Sequence, residues 1–92
     1  MAASLNAARA AVYHAADLKD RGQTFTLEAA MAKLFATRTA SRITRQAMEL
    51  VGPAALDPRV GVERRFREAR VTEIYEGTSE MQSLVISRAL LK

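Results

Sequence analysis

The chain has no cysteine, one histidine, four glycines and two prolines in 92 residues. The missing thiols exclude disulfides and thiolate metal sites. His14 alone cannot build a metal centre, and it reads as an ordinary residue of an amphipathic helix. No apolar run approaches the ~18 residues that a membrane span requires. Glycine and proline are too sparse to punctuate a β-rich chain. They stand between longer segments, which leaves room for helices. No pattern of stacking aromatics is present either.

What is present is alanine and mixed charge. Hydrophobic residues make up 49% of the chain, but much of that share is alanine, which buries little area per residue. A chain this short buries only a modest share of its surface. Close-packed helices that need a partner surface are therefore expected. Fourteen basic and ten acidic residues give a net charge of +4. That balance is compatible with anionic ligands and diagnostic of none. The Ala-rich start, with Arg9 and no acid before Asp17, reads as the first helix of a cytoplasmic protein rather than as a leader.

The periodicity predicts an all-α chain of about four antiparallel helices, one domain over residues 1–92. Leu5, Ala8, Val12 and Ala15 recur at helical spacing, and Gly22 stands where a C-terminal cap belongs. Thr26 is the expected N-cap of a longer second helix, with Glu28 in its first turn. Met31, Leu34, Phe35, Ile43, Ala47 and Leu50 mark its apolar stripe. Gly52 and Pro53 end it. Asp57-Pro58 favours a turn. A third helix from Val60 or Val62 turns Phe66 and Ala69 inward. Gly77 breaks it, and Ser79 with Gln82 reads as a capping box opening a fourth helix that carries Met81, Leu84, Val85 and Ala89.

Chemistry concentrates in "IYEGTSE", Ile74 to Glu80. Glu76 falls between the unfavourable end of one helix dipole and the favourable end of the next, so the two fields partly cancel. Gly77 lets a ligand approach the backbone. Thr78 and Ser79 offer hydroxyls, and the following helix start offers N–H groups suited to an anion. A carboxylate beside such donors can remove a proton while a donor polarises the neighbouring carbonyl. An exposed helix-to-helix turn of no chemical use has the same spacing, and by spacing alone it is the commoner case.

The stretch "RVTEIYEGTSEMQSLVISRALL", with "FTLEAAMAKLFAT" upstream, resembles the C-terminal end of acyl-CoA dehydrogenases. The resemblance covers nearly the whole chain. It implies part of that family's C-terminal four-helix bundle, without the N-terminal helical and middle β domains. It also implies that Glu76 is the base removing the α-proton of an acyl-CoA thioester, with FAD accepting the β-hydride. Gly77 matches a substrate-contacting glycine, and Thr78, Ser79 and Glu80 match positions that touch FAD. Closed in with an acyl chain, such a carboxylate would have its pKa raised by desolvation.

The family's Gln-x-x-Gly-Gly-x-Gly loop, which contacts the FAD of a neighbouring subunit, is altered. Here "ELVGPAA" places Glu49 for the glutamine, keeps Gly52, and puts Pro53 and Ala55 for two glycines. Proline has no N–H to donate, and Glu49 adds negative charge near an anionic cofactor. FAD, with Glu49, Gly52, Thr78, Ser79 and Glu80 as its contacts, is therefore not expected to stay on the chain alone. The expected partners are a second copy, as a dimer or dimer of dimers, or a chain supplying the rest of a dehydrogenase, with acyl-CoA if the site is completed. A non-catalytic oligomerisation module on the same scaffold is the alternative. Nucleic acid is a third reading. It rests on Arg38, Arg42 and Arg45 on one helical face and Arg64, Arg65, Arg67 and Arg70 on another, and the interleaved Glu63, Glu68 and Glu73 argue against it.

Overall fold

The computed structural model describes residues 1–75 and 77–91, and these form four α-helices with one 3₁₀ turn. The helices are α1 (Ala2–Asp20), α2 (Thr26–Val51), α3 (Val62–Thr72) and α4 (Ser79–Leu90), with the 3₁₀ turn (Gly52–Leu56) after α2. The all-helical bundle expected from the periodicity is what forms.

Local signals set the boundaries. Gly22, at φ 72°, follows α1, where its N–H bonds the Lys19 carbonyl and the Gln23 N–H bonds that of Leu18. This double bond satisfies two carbonyls the helix end leaves open. Gly52 ends α2 at φ 72°, ψ −147°, a backbone region essentially restricted to glycine. Pro53 follows inside the 3₁₀ turn, where a missing N–H costs nothing. Two expected caps move by one residue. Phe25, not Thr26, caps α2, and it makes no side-chain bond. Thr78, not Ser79, caps α4, its hydroxyl accepting the Met81 N–H at 3.1 Å. Thr78 and Ser79 both qualify as caps, and the first in line takes the place.

α2 is the hub. It packs against α1, α3 and α4, and among the described residues those three helices do not pack as pairs. The buried apolar residues are Ala8, Ala15, Ala30, Ala32, Ala55 and Ala69, joined by Thr39. Small side chains let the axes approach closely. Each buried methyl contributes only about 0.8 kcal/mol, against about 1.5–3 for a large aliphatic side chain. The larger apolar residues of the predicted stripes stay partly open. Leu5 is 48% exposed, Val12 43%, Phe35 42% and Leu84 43%. Leu5 and Val12 line an apolar groove between α1 and α2 with Ile43, and Phe35 lines one between α2 and α4 with Met31, Leu34 and Ile86.

Candidate functional site

The α3–α4 junction is built from three sides. α3 ends at Thr72, and residues 73–75 continue as a turn in which the Tyr75 N–H reaches the Val71 carbonyl at 3.2 Å. Across the junction the Ser79 N–H bonds the Glu73 carbonyl, also at 3.2 Å. Gly77 has φ 111°, and the Gln82 amide fills the space a Cβ would need. Any side chain at 77 would be strained and would displace Gln82. The third side is α2. Lys33, half-buried, donates to the Thr72 carbonyl at 3.2 Å and to the Gly77 carbonyl. Two helical turns on, Ser41 donates to the Glu73 carboxylate, which also pairs with Arg70 at 2.9 Å.

Glu76, the expected base, lies outside the described residues. Its neighbours bring the expected site residues 77–80 together at the start of α4. Thr78 is exposed and spends its hydroxyl on the cap. Glu80 is exposed in the first turn, where its charge suits the helix dipole. Ser79 is half-buried, and its Oγ is enclosed without a hydrogen-bond partner. An enclosed hydroxyl without a partner costs about 1–3 kcal/mol, so a group docking here gains by satisfying it.

Glu49 and Gly52 belong elsewhere. They sit at the far end of α2, 16 and 19 residues beyond Lys33 by chain number, or roughly 24 and 28 Å at 1.5 Å per residue. One end of the chain cannot serve the same stretch of ligand as the other. The expected set is two separate half-sites. Nothing lies within 4 Å of where a Cβ at Gly52 would stand, and Glu49 is exposed. For FAD, the start of α4 fits an acceptor-rich cofactor edge through the unpartnered Ser79 hydroxyl. The Glu49–Pro53 end does not fit, because Pro53 has no donor and Glu49 carries the charge of the cofactor's own phosphates.

Lys33 and Ser41 are residues the sequence reading missed. Their signal was faint: polar side chains at 33, 37 and 41, four apart on α2, inside an otherwise apolar stripe. The arginines of α3 form ion pairs. Arg64 and Arg65 meet Glu68 at 2.8 and 3.8 Å, Arg67 meets Glu63 at 3.9 Å, and Arg70 meets Glu73. Arg64 holds the Glu68 carboxyl below its ordinary range by hydrogen bonding. Arg38 and Arg42 line the α2/α4 groove, while Arg45 lies on the α3 side with Phe66, so the three do not share one patch.

The model of the acyl-CoA dehydrogenase C-terminal domain matches residues 1–91. The chain belongs to this family. The bovine mitochondrial short-chain specific acyl-CoA dehydrogenase is 51% identical over the whole chain, which spans 22% of that protein. A probable acyl-CoA dehydrogenase of Bacillus subtilis, YngJ, is 50% identical, with 24% of its length spanned. The structure of butyryl-CoA dehydrogenase from Megasphaera elsdenii superposes with a TM-score of 0.98 at 41% identity, over all of this chain and 24% of that one. The chain thus spans about a quarter of the length of the relatives it matches. Among the described residues, no helix is long and apolar enough to cross a membrane.

Proposed function

We propose that this chain is the C-terminal module of an FAD-dependent acyl-CoA dehydrogenase, contributing the proton-abstracting carboxylate and one edge of the cofactor site. The observation that carries the reading is the family match over residues 1–91, supported by the bonds Lys33 makes to Thr72 and Gly77 on either side of residue 76. Glu76 takes the proton from the carbon next to the thioester carbonyl. The C–H pair becomes the α,β double bond as hydride leaves the β-carbon. FAD, when bound, supplies the acceptor for that hydride. Gly77, whose Cβ position the Gln82 amide occupies, offers its backbone to the acyl thioester, while Thr78, Ser79 and Glu80 hold the cofactor edge. Glu49 and Gly52 serve a separate contact, weakened by Pro53. The bovine and Megasphaera relatives make butyryl-CoA the substrate to test first. A cytoplasmic setting is kept from the sequence reading; cell fractionation checks it, and the mitochondrial bovine relative is the reason to look.

The test is a hybrid in which this chain replaces the matching quarter of the bovine enzyme. The flavin absorbance of the hybrid is expected to bleach on addition of butyryl-CoA. A folded, flavin-loaded hybrid whose spectrum ignores butyryl-CoA would contradict the reading. The alternative, a non-catalytic association module, draws on the alanine-only core and the open grooves. It predicts assembly that is indifferent to Glu76 and a hybrid without turnover.

A further inference from the structure

We propose that Lys33 is a positioning residue that fixes the α3–α4 junction, and with it the placement of residue 76, by donating to carbonyls on both sides of it. The inference rests on the dehydrogenase reading for its catalytic consequence and on geometry alone for the strap itself. Lys33 stands eight residues into α2, the helix against which the other three pack, so its Cα is fixed by the hub of the fold. Its ammonium reaches the carbonyl of Thr72, the last residue of α3, and the carbonyl of Gly77, immediately after 76. The first acceptor belongs to the open carbonyl end of α3, where a cation also meets the negative end of the helix dipole. The second belongs to a glycine at φ 111°, which lacks the side-chain restraint that would otherwise hold it.

Among the described residues the turn's own backbone bonds are Glu73 to Arg70 at 3.1 Å, Ile74 to Val71 at 3.0 Å and Tyr75 to Val71 at 3.2 Å on the α3 side, with Ser79 to Glu73 at 3.2 Å across it. Ser41 adds one further tie, through the Glu73 side chain on the α3 side only. Among the described side chains Lys33 is the one that bonds both sides, alongside the backbone bond from Ser79 to Glu73, and hydrogen bonds from a charged donor are roughly twice as strong as neutral ones. A base displaced by about 1 Å can lose a hundredfold in rate, so a strap at this place acts on chemistry as well as on stability.

The experiment measures amide hydrogen exchange in the 92-residue chain for wild type, Lys33→Met, Lys33→Arg and the control Lys19→Met. Lys33→Met keeps the aliphatic stem and removes the donors. Its Tyr75 and Ser79 amides are expected to exchange at least tenfold faster, while Val12 in α1 stays within twofold. Lys33→Arg, which keeps a charged donor, is expected to recover most of the protection. Unchanged Tyr75 and Ser79 exchange in Lys33→Met overturns the strap. If Lys33→Met loses its helical circular dichroism, Lys33→Arg decides: wild-type protection supports the strap and tenfold loss overturns it. In the hybrid enzyme, Lys33→Met is expected to lower kcat at least tenfold with KM within twofold, and Lys33→Arg to restore part of it. Wild-type kcat in Lys33→Met overturns the positioning role. A wild-type hybrid without turnover, alongside faster exchange in Lys33→Met, leaves the strap standing and removes the dehydrogenase reading instead.

Discussion

Single residues at the junction carry distinct duties, and each predicts its own cost. Gly77→Ala puts a methyl where the Gln82 amide lies and forces a non-glycine residue to φ 111°. A loss of about 1–3 kcal/mol is expected, read as a lower midpoint in urea; an unchanged midpoint would show that the turn relaxes freely. Thr78→Ala removes the α4 cap and should cost about 1 kcal/mol, whereas Ser79→Ala should cost nothing or stabilise, since its Oγ has no partner to lose. The reverse order would restore Ser79 as the cap. The sequence made this stretch legible as a helix start with hydroxyls. It could not choose between two adjacent hydroxyl residues, because capping depends on the φ/ψ of each, and Gly77 sets those from behind. Further along, Arg59 binds the Asp57 carboxylate at 2.7 Å and holds its pKa below the ordinary value. A depressed carboxylate supports the fold above its unfolded pKa, and that support is lost as the pH falls through the folded value. Arg59→Ala should therefore raise the Asp57 pKa towards its ordinary value by NMR, with part of the depression kept because the residue 59 N–H still donates to the carboxylate, and with little change in stability, because the pair is exposed.

Among the described elements, α1 packs against α2 alone, and its buried residues are Ala8 and Ala15. Two methyls supply roughly 1.6 kcal/mol of burial. Ala8→Asp would place an unpaired charge in that contact, a cost of several kcal/mol. The amides of α1 are expected to lose protection while those of α3 keep theirs. Uniform loss across all four helices would mean that α1 is integral to one cooperative unit. Helical periodicity revealed which face of each element is apolar, and that reading held for Ala8, Ala15 and Ala69. It could not reveal that Leu5 and Val12, on the same stripe, stay half-open. A period identifies a face, while burial depends on whether another surface covers it.

The whole molecule is larger than its mass suggests. Its radius of gyration is 15.3 Å, against about 12 Å for a compact domain of this length. It exposes 6694 Å², where a compact monomer of this mass exposes about 5,300 Å². The excess approaches twice the ~800 Å² that one partner contributes to an ordinary interface. Sedimentation equilibrium is accordingly expected to find the chain as a dimer or dimer of dimers, with the α1/α2 or α2/α4 groove closed. A stable monomer at the highest concentration would contradict that. Because the proposed cofactor contacts fall into two separate groups, one at Glu49 and Gly52 and one at residues 78–80, the purified chain should also be colourless, and stoichiometric flavin absorbance would overturn that proposal.

The family was legible in "IYEGTSE" because chemistry fixes residue types there. The strap on it was not, because Lys33 meets the turn across sequence separations of 39 and 44 residues. The claim that joins these scales is that residue 76 acts as a base. Its direct measure is deuterium uptake from solvent at the carbon next to the thioester carbonyl of butyryl-CoA, catalysed by the hybrid enzyme with and without Glu76→Gln. The substitution keeps shape and assembly and removes only the basic oxygen. Uptake in the wild-type hybrid and a loss of at least a hundredfold in Glu76→Gln is the predicted result; equal uptake in both would place the base elsewhere and leave Glu76 as part of a turn.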